Sequence, residues 1–233
     1  MIFLPGTDKQ IEILFKTLSQ AFSTILIIGP GCEEISKMMV DKYSSQVTII
    51  VDSYDSLLST RLNVAGKKDV AVKMMEYDNT DFQTPKFDLV YAQASVSNSR
   101  RNKIVKEIKR ILKPEGFFCV GENVSLSNEE PEFIKDIWKN SGIVPLYWKD
   151  AEKYYRERDF KVYNEFDLSF TLKEFYKTGE NLLKENLDSL NDNEKSYYKK
   201  LLRQISHESN AYLSLGGDEY MGFRMFILRK GKE

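Results

Sequence analysis

Hydrophobic residues form short uninterrupted runs that alternate with amphipathic segments along the first half of the chain. A continuous apolar run is typical of a strand buried on both faces of a parallel sheet, whereas apolar residues three and four apart indicate a helix. The runs predict five strands: Ile25–Ile28, Thr48–Val51, Val70–Met75, Phe87–Ala92 and Phe117–Val120. Helical spacing predicts intervening helices that contain Ile35–Val40, Leu57–Leu62 and Ser99–Leu112. The Lys113–Gly116 segment predicts a turn into the fifth strand.

The two ends of the chain extend this pattern. An amphipathic helix is predicted from Thr7 to about Phe22, with Thr7 as its cap. Beyond Val124 the predicted elements are helices near Pro131–Asn140 and Asp150–Arg158, a strand at Phe160–Leu168, a polar helical stretch over Leu172–Leu215 and a last strand at Met221–Leu228. Strand and helix alternation with short connections predicts an α/β fold, with a doubly wound, mostly parallel seven-stranded sheet and helices on both faces.

These elements predict a single domain over residues 1–233 with a helical insertion at 170–216, before the last strand. We expect the N-terminal helix, within residues 1–22, and this insertion to cover the substrate. A helical cover of this kind suits a small molecule better than a nucleic acid or a folded protein.

The turn after the first strand carries the main candidate ligand chemistry. Gly29 and Gly31 let the backbone turn sharply and approach a ligand, and a helical pattern begins directly afterwards. Asp52 ends the second apolar run about 20 residues later, where a carboxylate can accept hydrogen bonds from ribose hydroxyls. The pattern therefore predicts a nucleoside-containing cofactor at the carboxyl ends of parallel strands.

With these elements placed, the chain resembles the class I S-adenosylmethionine-dependent methyltransferases over roughly residues 20–125 and again in the last strand. Gly29 and Gly31 match the first two glycines of that family's first motif, and Asp52 matches its ribose-binding acid. Asp78, with Asn79, matches the acidic position that holds the adenine amino group. Two segments are similar to the family's fourth strand and to its Arg-x-Leu-Lys-Pro-Gly-Gly turn: Phe87–Val90 and Ile108–Gly116.

The resemblance implies a Rossmann-like fold, S-adenosylmethionine as cofactor and in-line methyl transfer to a small-molecule acceptor. It also implies further cofactor contacts from Ser53 and from the chain near Gln93. The candidates for a general base are Glu122, just past the fifth strand, and His207, whose intrinsic pKa suits proton transfer. A structural or exposed histidine is the alternative interpretation of His207.

Two positions depart from the family's first motif. Ile27 stands where the family has an acid that contacts the methionine amino group, and Glu33 stands where a third glycine is expected. One hypothesis is that Glu33 or Glu34 reaches the cofactor's ammonium group instead. The alternative is that both carboxylates favour the helix N-terminus, where each gains typically 0.3–1 kcal/mol.

The same two carboxylates argue against a dinucleotide. A dinucleotide places its pyrophosphate at the helix N-terminus, where Glu33 and Glu34 would repel it. S-adenosylmethionine carries a sulfonium cation and no phosphate, so acidic residues near the turn are compatible with it. Two other classes stay open, namely a non-catalytic relative that serves as a binding protein or partner subunit, and a nicotinamide-dependent oxidoreductase.

The composition of the chain limits the kinds of binding partner and the cellular location that we expect. The 233 residues are 42% hydrophobic and 30% charged, with a net charge of −1, so the chain has no global attraction to nucleic acid or anionic membranes. No apolar run has the length that spans a bilayer, and the expected location is the cytoplasm. Two cysteines, Cys32 and Cys119, suit a reducing compartment, with Cys32 either a reactive thiol or a small turn filler.

Two other features have ordinary interpretations. The basic residues within Ser99–Lys113 lie on the polar side of an amphipathic helix, which predicts a solvated face in preference to a nucleic-acid site. A lone histidine without a cysteine cluster cannot build a typical zinc site, so no metal is expected. The oligomeric state and the methyl acceptor are not fixed by these patterns.

Overall fold

The computed structural model describes residues 2–83, 85–187 and 206–231. The first half alternates strands and helices as predicted: α1 (Thr7–Thr17), β1 (Thr24–Ile28), α2 (Glu33–Tyr43), β2 (Gln46–Val51), α3 (Tyr54–Asn63), β3 (Val70–Met74), β4 (Phe87–Gln93), α4 (Arg101–Ile111) and β5 (Leu112–Ser125). The second half contains α5 (Glu132–Asn140), β6 (Leu146–Tyr147), a short 3-10 helix (Trp148–Asp150), α6 (Ala151–Arg156), β7 (Phe160–Asp167), α7 (Phe170–Leu187), α8 (206–214), a second 3-10 helix (Gly217–Glu219) and β8 (Met221–Lys230).

The strands form one sheet in the order β3-β2-β1-β4-β5-β8-β7, and β6 pairs with β5 outside this path. Strands β1 to β5 are parallel, whereas β8 runs antiparallel to both β5 and β7. The predicted mostly parallel, seven-stranded sheet is confirmed, with the two-residue β6 as an addition. Because the chain winds outward from β1 to β3 and then returns to β4, a ligand crevice is expected at the carboxyl ends of β1 and β4.

Both faces of the sheet are buried, which explains the uninterrupted apolar runs. Along β1, Ile25 and Ile27 join a core cluster on one face, while Leu26 and Ile28 join a second cluster on the other. Alternating side chains of a strand point to opposite faces, so a strand that is covered twice needs apolar residues at every position.

The first helix is shorter than predicted. It ends at Thr17 because Leu18 takes an extended conformation, which buries its side chain fully while its carbonyl accepts a hydrogen bond from the Tyr43 hydroxyl at 3.0 Å. The prediction that Thr7 caps this helix is wrong. Gly6 occupies the N-cap position, and Thr7 has a φ of 43° and makes no side-chain capping hydrogen bond.

The turn predicted before the fifth strand lies inside β5 instead. This strand begins at Leu112, and its register with β4 shifts between the pairs of Phe87 and Leu89. Glu115 has a φ of 64° at this irregularity. The chain therefore changes direction through a bulge in a continuous strand.

The helical insertion falls between β7 and β8, where it was predicted, and its described parts are α7 and α8. The middle of the predicted Leu172–Leu215 helical stretch lies outside the described residues. Over the ranges that the structure describes, none of the helices combines the length and apolar character needed to cross a bilayer.

Candidate cofactor site

The turn after β1 needs glycine at both predicted positions. Gly29 and Gly31 have φ angles of 110° and 78°, which side-chain-bearing residues rarely adopt. A Cβ atom on Gly29 would lie 2.8 Å from the Cβ of Ser95, in the loop after β4. The Ser95 hydroxyl donates a 2.7 Å hydrogen bond to the carbonyl of Ile28. The turn is thus fastened to the β4–α4 loop at the carboxyl edge of the sheet.

The two predicted acids lie close together at this edge. Asp52 directly follows β2, and Asp78 lies in the loop after β3. A single guanidinium reaches both, since atoms of Arg100 lie 3.8 Å from Asp52 Oδ2 and 3.4 Å from Asp78 Oδ1. The structure therefore brings together the carboxylates that the family resemblance assigns to the ribose and to the adenine.

A buried tyrosine lies beside the first of these acids. Tyr77 is 4% exposed, and burial together with the neighbouring Asp52 carboxylate raises the pKa of its hydroxyl. This hydroxyl has no hydrogen-bond partner among the described residues. A ligand hydroxyl on Asp52 would supply one, because buried polar groups are normally hydrogen-bonded.

Asp52 and Asp78 form the acid pair, and each is followed directly by an exposed polar residue, Ser53 and Asn79 respectively. The Ser53 side chain caps α3 by accepting a 3.2 Å hydrogen bond from the backbone N–H of Ser56. The backbone N–H of Asn79 donates to the carbonyl of Glu76 at 3.3 Å. Both residues are near enough to the acids for the predicted cofactor contacts, which remain predictions.

Gln93, also predicted to bind the cofactor, holds the N-terminal segment. Its side-chain amide donates to the carbonyls of Pro5 at 2.9 Å and Thr7 at 3.0 Å, and its oxygen accepts from the Tyr91 hydroxyl at 2.5 Å. The residue is 2% exposed, so its side chain is enclosed by these partners. Sequence reasoning placed Gln93 correctly at the end of β4 but missed this anchoring role, because Pro5 and Thr7 lie more than 80 residues away in the chain.

Replacing Gln93 by alanine is expected to lower the free energy of unfolding by about 1–2 kcal/mol, because it removes two hydrogen bonds and leaves the Tyr91 hydroxyl unpaired. Hydrogen exchange should accelerate at backbone amides of residues 2–10. Chemical denaturation and exchange measurements check both effects. The matched control is Gln46→Ala, which removes an exposed amide bonded to Asp69 and should change neither quantity measurably. Unchanged exchange in the Gln93 variant would contradict the anchoring role.

The N-terminal segment, residues 2–6, connects the glycine turn with α7. The Leu4 side chain lies 3.5 Å from the position of a Cβ on Gly31, and the Phe3 ring stacks on Phe175 with centroids 5.0 Å apart. The backbone N–H of Gly6 donates to the Thr171 hydroxyl at 3.2 Å. The N-terminal segment and the insertion thus contact each other, as a joint cover requires.

Glu122 lies in a closed network beneath this edge. Its carboxylate is fully buried and accepts from Arg101 Nε at 3.1 Å, from the Tyr155 hydroxyl at 2.5 Å and from the Ser97 hydroxyl. These donors occupy both carboxylate oxygens. Glu122 therefore fixes the loop after β4, and its role as a general base stays a prediction.

His207 is exposed on α8. Its neighbour Glu208 accepts a hydrogen bond from Ser141 at the end of α5. The role of His207 as a general base stays a prediction.

The residues that depart from the family's first motif, and the neighbouring Glu34, are engaged within the protein. Glu33 accepts a 2.7 Å hydrogen bond from the Thr60 hydroxyl of α3, and Glu34 pairs with Lys37 one turn along its own helix at 3.1 Å. Ile27 is fully buried in the core. These contacts favour the helix-terminus interpretation of both glutamates over the hypothesis that they reach an ammonium group.

The structure favours the simpler interpretation of the two cysteines and of the basic residues on α4. Burial raises the pKa of the Cys32 and Cys119 thiols, which makes Cys32 a turn filler and not a reactive thiol. Several cations of α4 and the following residues are paired: Lys109 with Asp159, Arg110 with Glu107, and Lys113 with Asp88. Within the described ranges, no group of three or more histidine, cysteine, aspartate or glutamate residues could hold a metal ion.

A family model described as a methyltransferase domain matches residues 26–120, from β1 into β5. This match agrees with the resemblance to the class I methyltransferases that the motifs carry. Its fold is similar to that of phosphoethanolamine N-methyltransferase 2 from Haemonchus contortus in complex with S-adenosyl-L-methionine, with a TM-score of 0.75 and 14% identity over 97% of this chain and 53% of that one. It is also similar to the cyclopropane synthase MmaA2 from Mycobacterium tuberculosis, with a TM-score of 0.76 and 15% identity over 95% of this chain and 83% of that one.

A third solved structure with this fold is the [4+2]-cyclase SpnF, with a TM-score of 0.76 and 16% identity over 97% of this chain and 82% of that one. Among curated proteins, sterol methyltransferase-like 1 from Botryococcus braunii is 29% identical over 157 residues, which cover 61% of this chain and 40% of that protein. The chain spans about two fifths of the length of the curated relatives that it matches. The match to a methyltransferase domain and the shared Rossmann-like fold agree with the resemblance recognised from the motifs.

Proposed function

We propose that this chain is an S-adenosylmethionine-dependent methyltransferase that acts on a small-molecule acceptor. The observation that carries the proposal is the pair of Asp52 and Asp78, which are held near one guanidinium at the carboxyl ends of neighbouring strands. Two carboxylates in this arrangement can accept hydrogen bonds from ribose hydroxyls and from an adenine amino group.

The residues present fit the cofactor better than they fit a dinucleotide. The glycine turn is tight enough for close backbone approach, and the buried Tyr77 hydroxyl beside Asp52 is left without a partner by the described residues. Glu33 and Glu34 occupy the first turn of α2, where a pyrophosphate would otherwise bind. Their charges oppose a phosphate ligand and are compatible with a sulfonium cation.

The bound cofactor would supply a methyl group on a positively charged sulfur to a nucleophilic atom of the acceptor. The contribution of the chain is alignment and exclusion of water, for which well-oriented reactants gain about 7–11 kcal/mol. Asp52, Asp78 and the glycine turn would fix the adenosine end of the cofactor. A base is required only when the nucleophile must lose a proton; Glu122 is buried with three donors on its carboxylate, and His207 is exposed on α8.

The contacts of the N-terminal segment support a small acceptor. This segment reaches the glycine turn through Leu4, β4 through Gln93 and α7 through Thr171. A cover fixed at three places leaves room for a small molecule more readily than for a folded protein or a nucleic acid. The net charge of −1 agrees with this interpretation.

A second candidate is a non-catalytic protein that binds a nucleoside ligand. The buried Ile27 in place of the first-motif acid and the engaged amide of Gln93 both favour it. The fold alone does not establish methyl transfer, since a [4+2]-cyclase has a similar fold.

Calorimetric titration is expected to show saturable binding of S-adenosylmethionine and S-adenosylhomocysteine and no binding of a reduced nicotinamide dinucleotide. Incubation with a panel of small amines, thiols, phenols and carbon nucleophiles should then release S-adenosylhomocysteine. Binding without turnover across the panel would favour the non-catalytic candidate. If millimolar S-adenosylmethionine gives no heat and no thermal shift, the methyltransferase proposal is refuted and the non-catalytic candidate is favoured.

A further inference from the structure

One cation bridges the acids of the candidate site. The guanidinium of Arg100 contacts Asp52 at 3.8 Å, Asp78 at 3.4 Å and, more closely, Glu76. The three carboxylates come from the ends of β2 and β3, whereas Arg100 precedes α4 on the other side of β1. The ion pairs therefore cross the crevice in which the nucleoside is proposed to bind.

The local backbone holds Arg100 in this position. Its N–H donates a 2.8 Å hydrogen bond to the side chain of Asn98, and its neighbour Arg101 is buried in the ion pair with Glu122. Because Arg101 is fixed inside the protein, the adjacent Arg100 side chain is left to extend toward the acids. A sequence signal for this role is absent, since Arg100 is one of many basic residues in its segment.

The contacts of Arg100 compete with those of a ligand. A guanidinium group is permanently charged and pairs directly with carboxylate oxygens. It therefore competes with ribose and adenine donors for the oxygens that face it. The acids also raise the pKa of Arg100, chiefly through the hydrogen bond with Glu76. Asp52 and Asp78 each have one oxygen within 4 Å of this group, so a nucleoside that bridges the two carboxylates competes with the guanidinium for them.

We propose that Arg100 is an internal counter-ion that competes with the nucleoside for Asp52 and Asp78 and must release them for adenosine to bind. This inference rests on the proposed function. Glu76, which lies nearest to Arg100, keeps the displaced guanidinium at the rim of the crevice. The ion pairs offset the repulsion between the carboxylates, and they weaken the affinity for every ligand that shares the adenosine group, the reaction product included.

The test is calorimetric binding of adenosine and of S-adenosylmethionine to four proteins: wild type, Arg100→Gln, Arg100→Lys and Lys106→Gln. Arg100→Gln should bind both ligands about three- to tenfold more tightly, because it removes individually weak, exposed ion pairs that binding would otherwise break. Arg100→Lys keeps the charge, but a lysine ammonium group has a single nitrogen and cannot contact two carboxylates as a guanidinium does. The affinity of this variant for both ligands should therefore be intermediate. Lys106→Gln removes an exposed charge from α4, the helix that follows Arg100, and should bind as wild type does.

Salt provides an independent measurement. Adenosine is uncharged, so ionic strength acts on its binding mainly through the protein's own ion pairs. Raising the ionic strength from about 0.01 to 1 M shortens the Debye length from about 30 to 3 Å and weakens exposed pairs. Adenosine should bind wild type more tightly at high salt, whereas its affinity for Arg100→Gln should stay constant.

Equal or weaker binding by Arg100→Gln, with wild type still binding, would overturn the inference and show that Arg100 positions the acids for the ligand. Failure of all four proteins to bind either ligand would instead overturn the proposed function. If Arg100→Gln does not fold, as judged by circular dichroism, Arg100→Lys and the salt dependence of wild type decide the question. Salt-independent adenosine binding by wild type would then contradict the inference.

Discussion

Replacing Glu122 by alanine should lower the free energy of unfolding by about 3–5 kcal/mol, the loss typical of a buried ion pair with one partner removed. The carboxylate is fully buried, and its removal leaves Arg101 Nε and the Tyr155 hydroxyl without their acceptor and the Arg101 charge without its counter-ion. Glu122→Gln should also destabilise the fold, because an amide keeps the shape but cannot neutralise Arg101. Urea denaturation monitored by circular dichroism measures both changes.

Two further variants test this explanation. Glu12→Ala breaks an exposed pair with Lys9 and should leave the unfolding midpoint unchanged. The double variant Glu122→Leu with Arg101→Met removes both charges and should recover much of the stability that the single substitution loses. If Glu122→Gln instead kept full stability and lost only turnover, Glu122 would be a catalytic base and not a structural anchor.

The position of Glu122 shows where sequence reasoning reaches its limit. Its place after the fifth predicted strand correctly puts a carboxylate near the functional edge of the sheet. Side chains alternate along a strand, however, and Glu122 shares its face with Val120 and Val124, which are both buried in the core. That this face is closed by α6, through Tyr155, depends on packing between elements that are distant in sequence.

The sheet itself was predictable because local pattern determines it. Apolar runs mark strands covered on both faces, and the positions of Gly29, Asp52 and Asp78 follow from motif spacing around those strands. Contacts between distant segments were not predictable in the same way. The link from Arg100 to the acids and the link from Gln93 to the N-terminal segment each require the finished fold.

The error at the first helix has the same origin. Apolar residues continue at helical spacing as far as Phe22, so the periodicity predicts a longer helix. The fold instead extends Leu18 into the core, where the Tyr43 hydroxyl bonds to its carbonyl, and tertiary packing outweighs local propensity. Likewise, β6 has two residues, which are too few for any periodic pattern.

Replacing Asp52 by alanine is expected to weaken S-adenosylmethionine binding by about 1–3 kcal/mol, or roughly 5- to 150-fold, because the ribose hydroxyls lose a charged acceptor. The substitution also removes one contact of Arg100, which by itself would favour binding. The loss should dominate, since hydrogen bonds to charged groups contribute about 1.5–3 kcal/mol and exposed ion pairs about 0–1 kcal/mol. Calorimetric titration of wild type and variant measures the difference.

The matched control is Asp55→Ala, which removes an exposed carboxylate three residues further on, in the first turn of α3. It changes the net charge equally and should leave the affinity as in wild type. A combined Asp52→Ala and Arg100→Gln variant should bind about as weakly as Asp52→Ala, because releasing the counter-ion has little effect once the ribose acceptor is gone. If Asp52→Ala and wild type bind the cofactor equally, the ribose lies elsewhere, and the acid pair cannot be the feature that defines this site.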